Sequence, residues 1–290
     1  MKLLLKFNLV FLLVFVAGLA ISGAIARSLL QRDAEAEVVD RARLLMEKAM
    51  VVSAYTANQI APLLSTQMKY TFLPQSIPAY SSTEVVNALQ KTYPDYSYKP
   101  AMLNPTNPRD RAVAWEEDVI NQFKKSPELK EFIGQRDTPA GPALYIARPI
   151  RISNPNCLQC HSTPDAAPKT LVDKYGPGNG FGWTLNDTLG AQVVSVPMTL
   201  PLARADRAFG VVLAMLAGVF LLIGGALNLM LWKLVIQPVS RLSAVSDRVS
   251  MGELDAPEFV TKSKDEIGVL ADSFGRMRKS LVHAMKMLES

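Results

Sequence analysis

Two long apolar stretches interrupt the chain, at residues 7–26 and 208–235. Each contains at most two strongly polar side chains. A helix needs about 20 such residues to cross the hydrocarbon core of a bilayer. The pattern therefore predicts two transmembrane helices, with residues 27–207 on one side of the membrane and the flanking segments 1–6 and 236–290 on the other.

The first apolar stretch has an alternative interpretation. Ala24-Ile25-Ala26 resembles the small-x-small site at which a signal peptide is cleaved. The apolar run is longer than the usual signal core of about 7–15 residues, which favours an uncleaved signal anchor. Positive charges precede the first stretch but also flank its far side, so charge alone does not orient the chain.

The segment between the apolar stretches mixes helical and strand patterns. Apolar residues at near-helical spacing predict a long helix, which Pro62 kinks or ends. In order, the pattern predicts a helix over 33–66, structured turns over 71–110, a helix over 109–125 with Trp115 and Ile120 on its buried side, and strands over 143–152 and 190–198. This mixture predicts an α+β domain with one core.

Composition agrees with a membrane protein and excludes other classes. Hydrophobic residues make up 49% of the chain and charged residues only 20%. The net charge is +5, and it is spread so that no block carries more than +2, which does not indicate a nucleic-acid-binding surface. Two cysteines exclude a disulfide-rich scaffold, and two histidines scarcely permit a four-ligand zinc site.

Cys157-Leu158-Gln159-Cys160-His161 is a C-x-x-C-H motif, the spacing of covalent haem attachment. Two thiols three positions apart can each add to one vinyl group of a haem, and the next residue places an imidazole beneath the iron. The motif predicts one haem c, with His161 as the proximal ligand. Because such attachment takes place outside the cytoplasm, the motif also places residues 27–207 on the extracytoplasmic side.

Two other interpretations of the motif remain open: a redox-active or disulfide cysteine pair, and half of a zinc site. The first lacks a thioredoxin-like βαβ context. The second needs a fourth ligand, and the only other histidine, His283, lies beyond the second apolar stretch.

The distal iron ligand is limited by the composition of the domain. His283 cannot reach the site, and both cysteines are consumed as thioethers. A methionine, a tyrosine, a weak ligand such as water or an open position remains. The methionine candidates are Met50, Met68, Met102 and Met198.

Other residues are candidates for contact with the porphyrin. The glycine-rich segment from Tyr175 to Trp183 lets backbone approach a flat face, with Tyr175, Phe181 and Trp183 as packing aromatics. A surface hairpin with a buried tryptophan fits the same residues. Arg148 and Arg151 can pair with haem propionates or be ordinary solvated arginines.

Several separated motifs together resemble the family of single-haem, PAS-like c-type sensor domains. They are Asn104-Pro105-Thr106-Asn107-Pro108, Ala114-Trp115-Glu116, Ala147-Arg148-Pro149, the Cys157 motif, the Tyr175 to Trp183 segment and Val196-Pro197-Met198. The resemblance covers residues 35–200 and implies a PAS-like sheet, haem held by Cys157 and Cys160, and His161 as proximal ligand. Some members are thought to use a distal cysteine, and this chain has none to spare.

The segment after the second apolar stretch follows heptad patterns typical of coiled coils. The first series is Pro238, Leu242, Val245 and Val249; a connector through Gly252 and Pro257 leads to the second, Ile267, Leu270, Phe274, Met277, Leu281, Ala284 and Leu288. Pro238 and Asp265-Glu266-Ile267-Gly268 resemble the HAMP linker over 235–288. Two such short helices per chain predict a parallel homodimer.

The complete pattern predicts a two-pass protein of the bacterial inner membrane with a periplasmic haem domain. It would pass a redox or gas signal through HAMP to a separate cytoplasmic kinase, cyclase or chemoreceptor-like partner, because no such module precedes Ser290. The pattern indicates no enzyme and no nucleic-acid partner. The alternatives are an anchored electron-transfer cytochrome and a receptor for an organic ligand without haem.

Overall fold

The computed structural model describes residues 3–253, 255 and 265–288. It divides into two compact units, one formed by residues 27–208 and the other by residues 1–26 with 209–290.

The sheet of the 27–208 unit has four antiparallel strands in the order β1-β4-β3-β2. The strands are β1 Ser97–Met102, β2 Phe132–Thr138, β3 Gly141–Arg151 and β4 Thr188–Pro197. The expected runs at 143–152 and 190–198 are thus the two central strands, β3 and β4, which are apolar enough to be buried on both faces. Residues of the edge strand β2 alternate between partly buried and exposed. The sequence analysis did not predict this strand.

One face of the sheet packs against the long helix α1, Leu3–Tyr55, and α3, Pro78–Gln90. Apolar residues of α1 recur every three or four positions and meet alternate residues of β3 and β4. This core contains Val38, Ala42, Leu45, Met46, Ala49, Val86, Tyr98, Leu144, Ile146, Val194, Val196 and Met198.

The other face packs against α4, Ala114–Lys125, whose Val119, Ile120 and Phe123 are buried. Trp115 lies partly buried against the same core, so the prediction that Trp115 and Ile120 share the buried side is confirmed. Helix α4 begins five residues later than the predicted start at residue 109, because Pro108–Asp110 form a 3-10 turn and residues 111–113 are extended.

Two predictions about local structure are wrong. No break separates the first apolar stretch from the helix expected at residue 33, because α1 runs unbroken through both. It then continues through a π-helical turn, Thr56–Ile60, into α2, Ala61–Leu64, and ends two residues after Pro62, in agreement with the prediction that Pro62 kinks or ends this helix. The 71–110 segment is more than turns, since it contains α3 and β1.

The remaining helices of this unit are short and lie between β3 and β4. They are α5, Leu158–His161, and α6, Lys169–Tyr175. Both lie in the connection of which the Cys157 motif is part.

The second unit contains the apolar stretches and the C-terminal helices. Helix α7, Thr199–Leu231, is followed by a π-helical turn, Trp232–Ile236, and then by α8, Gln237–Ser250, and α9, Glu266–Leu288. The structure contains two helical runs long and apolar enough to cross a membrane, Leu4–Leu64 and Thr199–Ser250, and their most apolar windows are almost entirely exposed. Within the unit, the rings of Phe15 and Phe220 meet edge to face at 4.8 Å.

Leu242 and Val249 of the first heptad series are buried in α8, and Ala271, which lies outside the predicted series, is buried in α9. The Asp265 carboxylate caps α9 by accepting hydrogen bonds from the backbone N–H groups of Ile267 and Gly268. Several heptad residues of α9, such as Leu270 and Leu281, remain exposed. Pro257 and the side chain of Leu288 lie outside the described residues.

The expected fold class is confirmed: two apolar helices flank an α+β domain with a four-stranded antiparallel sheet, and a helical region follows the second of them.

Candidate functional site

The C-x-x-C-H motif folds as two consecutive helical turns. Pro155–Cys157 form a 3-10 turn, capped by the Asn154 side chain, which accepts a hydrogen bond from the Asn156 N–H at 2.9 Å. Helix α5 then contains Cys160 and His161. Cysteines three positions apart on a helical turn share one face, so both thiols are available to the same side.

Cys157 and Cys160 form no disulfide bond in this structure, and both are partly exposed. Burial raises the pKa of the Cys160 thiol, and the neighbouring Cys157 raises it further. The Cys160 side chain is therefore predominantly a thiol near neutral pH. Among the described residues, no three His, Cys, Asp or Glu side chains form a cluster that could hold a metal ion.

His161 is held by the glycine-rich loop after α6. Its Nδ1 atom lies 2.8 Å from the carbonyl oxygen of Gly180 and 3.4 Å from the Thr106 hydroxyl. Only a protonated Nδ1 can donate to the carbonyl, so this contact favours the tautomer whose Nε2 lone pair is available to a metal. Burial lowers the pKa of His161, and the hydrogen bond to Gly180 partly opposes this effect. The imidazole is therefore neutral at pH 7.

Trp183 covers one face of the imidazole. The two rings are stacked with centroids 3.7 Å apart and an interplanar angle of 10°. Backbone bonds hold this arrangement, because the N–H groups of Gly182 and Trp183 donate to the carbonyl oxygens of Ser162 and His161. The packing fixes the ring about its Cβ–Cγ bond.

The Asn104 to Arg111 segment anchors the same loop, a role that sequence reasoning missed. Asn104 accepts from the Gly180 N–H and donates to the Phe181 carbonyl. Arg111 donates to the Asn179 side chain at 3.1 Å. The only advance signal was the Asn104-Pro105-Thr106-Asn107-Pro108 motif within the family resemblance.

The three aromatic candidates do not converge on one point. Only Trp183 contacts His161 directly. The Tyr175 ring meets Phe72 edge to face at 5.6 Å, and Phe181 is half-buried with its carbonyl bound to Asn104.

Arg148 lies in an ion-pair network with α1. Its guanidinium contacts Glu47 at 2.6 Å and Glu131 at 3.0 Å, and Glu131 also binds Arg43. Arg148 Nη1 is 3.3 Å from the sulfur of Met50.

The four methionine candidates occupy different surroundings. Met198 is buried in the α1 core, just past the end of β4 that is remote from the motif. From Gly190 to Met198 a strand extends roughly 25 Å. The Met68 sulfur accepts from the Leu73 N–H and the Ser76 hydroxyl. Met102 ends β1, next to the loop that anchors Gly180, and Met50 lies 39% exposed on α1.

The chemistry of these residues is compatible with a covalently attached haem. Two free cysteine side chains share one helical face, and the Nδ1 contact of the following imidazole leaves its Nε2 free to bind a metal. This donor set matches the chemistry of c-type attachment.

Comparisons with known proteins agree with the family resemblance. The sequence model of the Tll0287-like family matches residues 31–197, and that of the HAMP domain matches residues 230–283. Among solved structures, the chain is similar to the crystal structure of the cyanobacterial haem protein Tll0287, with 16% sequence identity and a TM-score of 0.44 over 56% of this chain and 95% of that chain. No curated protein matches the chain.

Proposed function

We propose that this chain, which belongs to the Tll0287-like family, is a membrane-bound haem c sensor that transmits a redox or small-ligand signal through its HAMP domain. A sensor-type domain joined to HAMP is the architecture of a signal-transducing membrane receptor rather than of an enzyme.

The observation that carries the proposal is the orientation of His161, whose Nδ1 lies 2.8 Å from the carbonyl oxygen of Gly180. A bare C-x-x-C pair needs no oriented imidazole, whereas here Gly180, Thr106 and Trp183 together fix the ring. An imidazole whose Nδ1 is engaged by a backbone carbonyl is the usual form of a metal-ligating histidine.

Each residue of the site has a separate role in holding the group. Cys157 and Cys160 would form the thioethers, and His161 would supply the proximal nitrogen. When bound, the haem supplies an iron that changes oxidation state or binds a gas. Trp183 keeps the imidazole from rotating, and we assign Tyr175 and Phe181 to packing at the edge of the pocket. Arg148 is the proposed propionate partner, in competition with Glu47 and Glu131.

Met50 and Met102 are the better distal candidates of the four methionines. Met198 lies at the remote end of β4, and the sulfur of Met68 already accepts two hydrogen bonds. Met50 is partly exposed on α1, so it needs no unpacking of the core to reach a ligand. If neither sulfur binds, the iron keeps an open or weakly held position suited to a gas.

Haem staining and intact mass test the attachment. The full chain, produced in a host that matures c-type cytochromes, should carry one haem that survives a denaturing gel. The Cys157→Ala/Cys160→Ala double variant should lose it, whereas His161→Ala should be matured poorly or show altered iron spectra. Unmodified thiols in the parent protein would overturn the proposal.

The absorption spectrum with carbon monoxide separates a sensor from an electron carrier. A reduced iron that binds carbon monoxide has an accessible position, and Met50→Leu should strengthen this binding only if the Met50 sulfur is the ligand displaced. An iron that ignores carbon monoxide and is reduced rapidly by quinol indicates an anchored electron-transfer cytochrome instead.

The proposed topology places the haem domain in the periplasm of a two-pass inner-membrane homodimer, with HAMP facing a separate cytoplasmic signalling protein. Ligation or reduction needs to bias two HAMP packings by only about 1–3 kcal/mol to be transmitted. Disulfide crosslinking across α9 should differ between oxidised and reduced protein. Identical crosslinking in both states would contradict signalling.

A further inference from the structure

A cleft of about 350 Å³ opens where β3 leads into the Cys157 loop. Small-ligand sites start at about this size and combine apolar walls with a few convergent polar groups. The cleft joins α1, the segment before β2, and the two central strands. Its lining includes Met50, Lys130, Arg148, Arg151, Ser153 and Gln192.

Gln192 supplies the first indication of a ligand. It lies on β4 opposite Arg148 of β3. Its side-chain oxygen is buried and, within the part of the chain that the structure describes, has no hydrogen-bond partner. A buried acceptor without a partner is unfavourable, so this oxygen is set to accept a hydrogen bond from a ligand.

The cations of the cleft are not equivalent. Arg148 is neutralised by Glu47 and Glu131. Arg151 instead donates to neutral acceptors, the Thr188 hydroxyl and the Pro127 carbonyl. Across the described ranges, no carboxylate lies within ion-pair distance of Arg151 or of the exposed Lys130. Arg151 and Lys130 therefore carry positive charges at the opening of the cleft that no described carboxylate neutralises.

We propose that this cleft binds a small carboxylic acid with a hydroxyl or amino group on the adjacent carbon. Arg151 and Lys130 hold the carboxylate, with the Ser153 hydroxyl at the same mouth. The oxygen of Gln192 accepts a hydrogen bond from the adjacent donor. The protein would then bind an organic acid in addition to the haem. Met50 and Arg148, which we assign to the haem, line the same cleft, whereas Arg151, Lys130, Ser153 and Gln192 have no role in the haem attachment proposed above.

A haem propionate offers the same carboxylate but lacks the adjacent donor. A free acid and a haem propionate can therefore be distinguished by comparing the binding of acetate with that of glycolate, which differ by one hydroxyl. Titration calorimetry on the full chain in detergent, with and without attached haem, measures both affinities.

Four variants make the test specific. In the parent protein glycolate should bind about fivefold more tightly than acetate. Gln192→Leu should abolish this preference while leaving acetate binding within about twofold, and Arg151→Gln should weaken both ligands about tenfold or more. Lys124→Gln, which removes an exposed charge on α4, is the matched control and should change neither. Gln192→Met provides a second substitution of similar length should the leucine variant fold poorly.

Equal binding of the two acids in the parent protein, no saturable binding, or affinities unchanged in Arg151→Gln would overturn the proposal. Binding confined to haem-free protein would assign the cleft to a haem propionate and overturn the free-acid site. None of these results affects haem staining, so failure here and failure of the haem proposal are distinguishable.

Discussion

The imidazole of His161 is oriented by Gly180, whose carbonyl oxygen lies 2.8 Å from Nδ1. Gly180 can take this position because its φ is +81°, a conformation that other residues rarely adopt. A Cβ there would overlap the Thr106 hydroxyl oxygen and lie 2.8 Å from the Thr106 Cα. The close approach of these two chain segments is thus a condition for orienting the ligand.

We expect Gly180→Ala to lower the stability of the domain and the retention of haem more than a positive φ alone would. The matched control is Gly176→Ala, since Gly176 has a φ of +80° but no atom within 4 Å of the point that a Cβ would occupy. The control should cost about 1–2 kcal/mol from the backbone alone. Thermal unfolding and the haem absorbance per protein measure both effects. Equal losses in the two variants would show that the Thr106 contact is unimportant.

The sequence predicted the parts of the fold that depend on strong local patterns. Helix α4 and strands β3 and β4 carry clear apolar periodicity, and both apolar helices were found from length alone. Helix α3 was missed because its sequence, PAYSSTEVVNALQ, is rich in polar and β-branched residues, and packing of Val86 against the α1 core stabilises it. Strand β2 was missed because only its pairing with β3 defines it.

The candidate site likewise contains residues that the sequence predicted and residues that only the structure identifies. The Cys157, Cys160 and His161 set follows from chemistry at fixed spacing, so the sequence alone predicted it. The contacts of Thr106 and Gly180 with His161 join residues 55 and 19 positions away, and no local pattern encodes such pairings. Gln192 looked like an ordinary strand residue, and only its buried, unpartnered oxygen marks it.

Glu116→Ala should strongly destabilise the domain. The Glu116 carboxylate is buried and accepts hydrogen bonds from Lys99 Nζ at 2.7 Å and from the Val113 N–H at 2.9 Å. Removing it leaves Lys99 without its buried partner and the helix start without its cap, at a cost of about 3–5 kcal/mol. Denaturant unfolding should show this loss, whereas Glu117→Ala, at an exposed neighbouring position, should stay within about 0.5 kcal/mol. A small effect at Glu116 would mean that solvent screens the pair.

Glu131→Gln should destabilise the domain at neutral pH and less so in acid. Burial alone would raise the pKa of Glu131, but hydrogen bonds from Arg43 and Arg148 outweigh it and lower the pKa below its ordinary 4.5. The stabilisation is therefore present above pH 4.5 and is lost as the pH falls through the lowered value. Because the groups are partly exposed, we expect on the order of 1 kcal/mol at pH 7. Glu37→Gln, in an exposed pair with Arg41, is the control and should have little effect at any pH.

Asp110 should give the opposite pH dependence. Burial raises its pKa from 3.8 to about 6, against the lowering influence of Arg109 and Lys99. Between these two pH values the folded protein keeps a proton that the unfolded chain has lost, so stability falls as the pH rises through this window and stays lower above it. Asp110→Asn removes this penalty.

We therefore expect Asp110→Asn to match the parent protein near pH 4 and to exceed its stability by about 2 kcal/mol at pH 7.5. Urea unfolding across this pH range measures the difference. Asp118→Asn, at an exposed position on α4, controls for the loss of one negative charge and should give a curve parallel to that of the parent. If Asp110→Asn instead lowers stability at pH 7.5, the ionised carboxylate is stabilised by Arg109, 3.7 Å away, more than burial disfavours it.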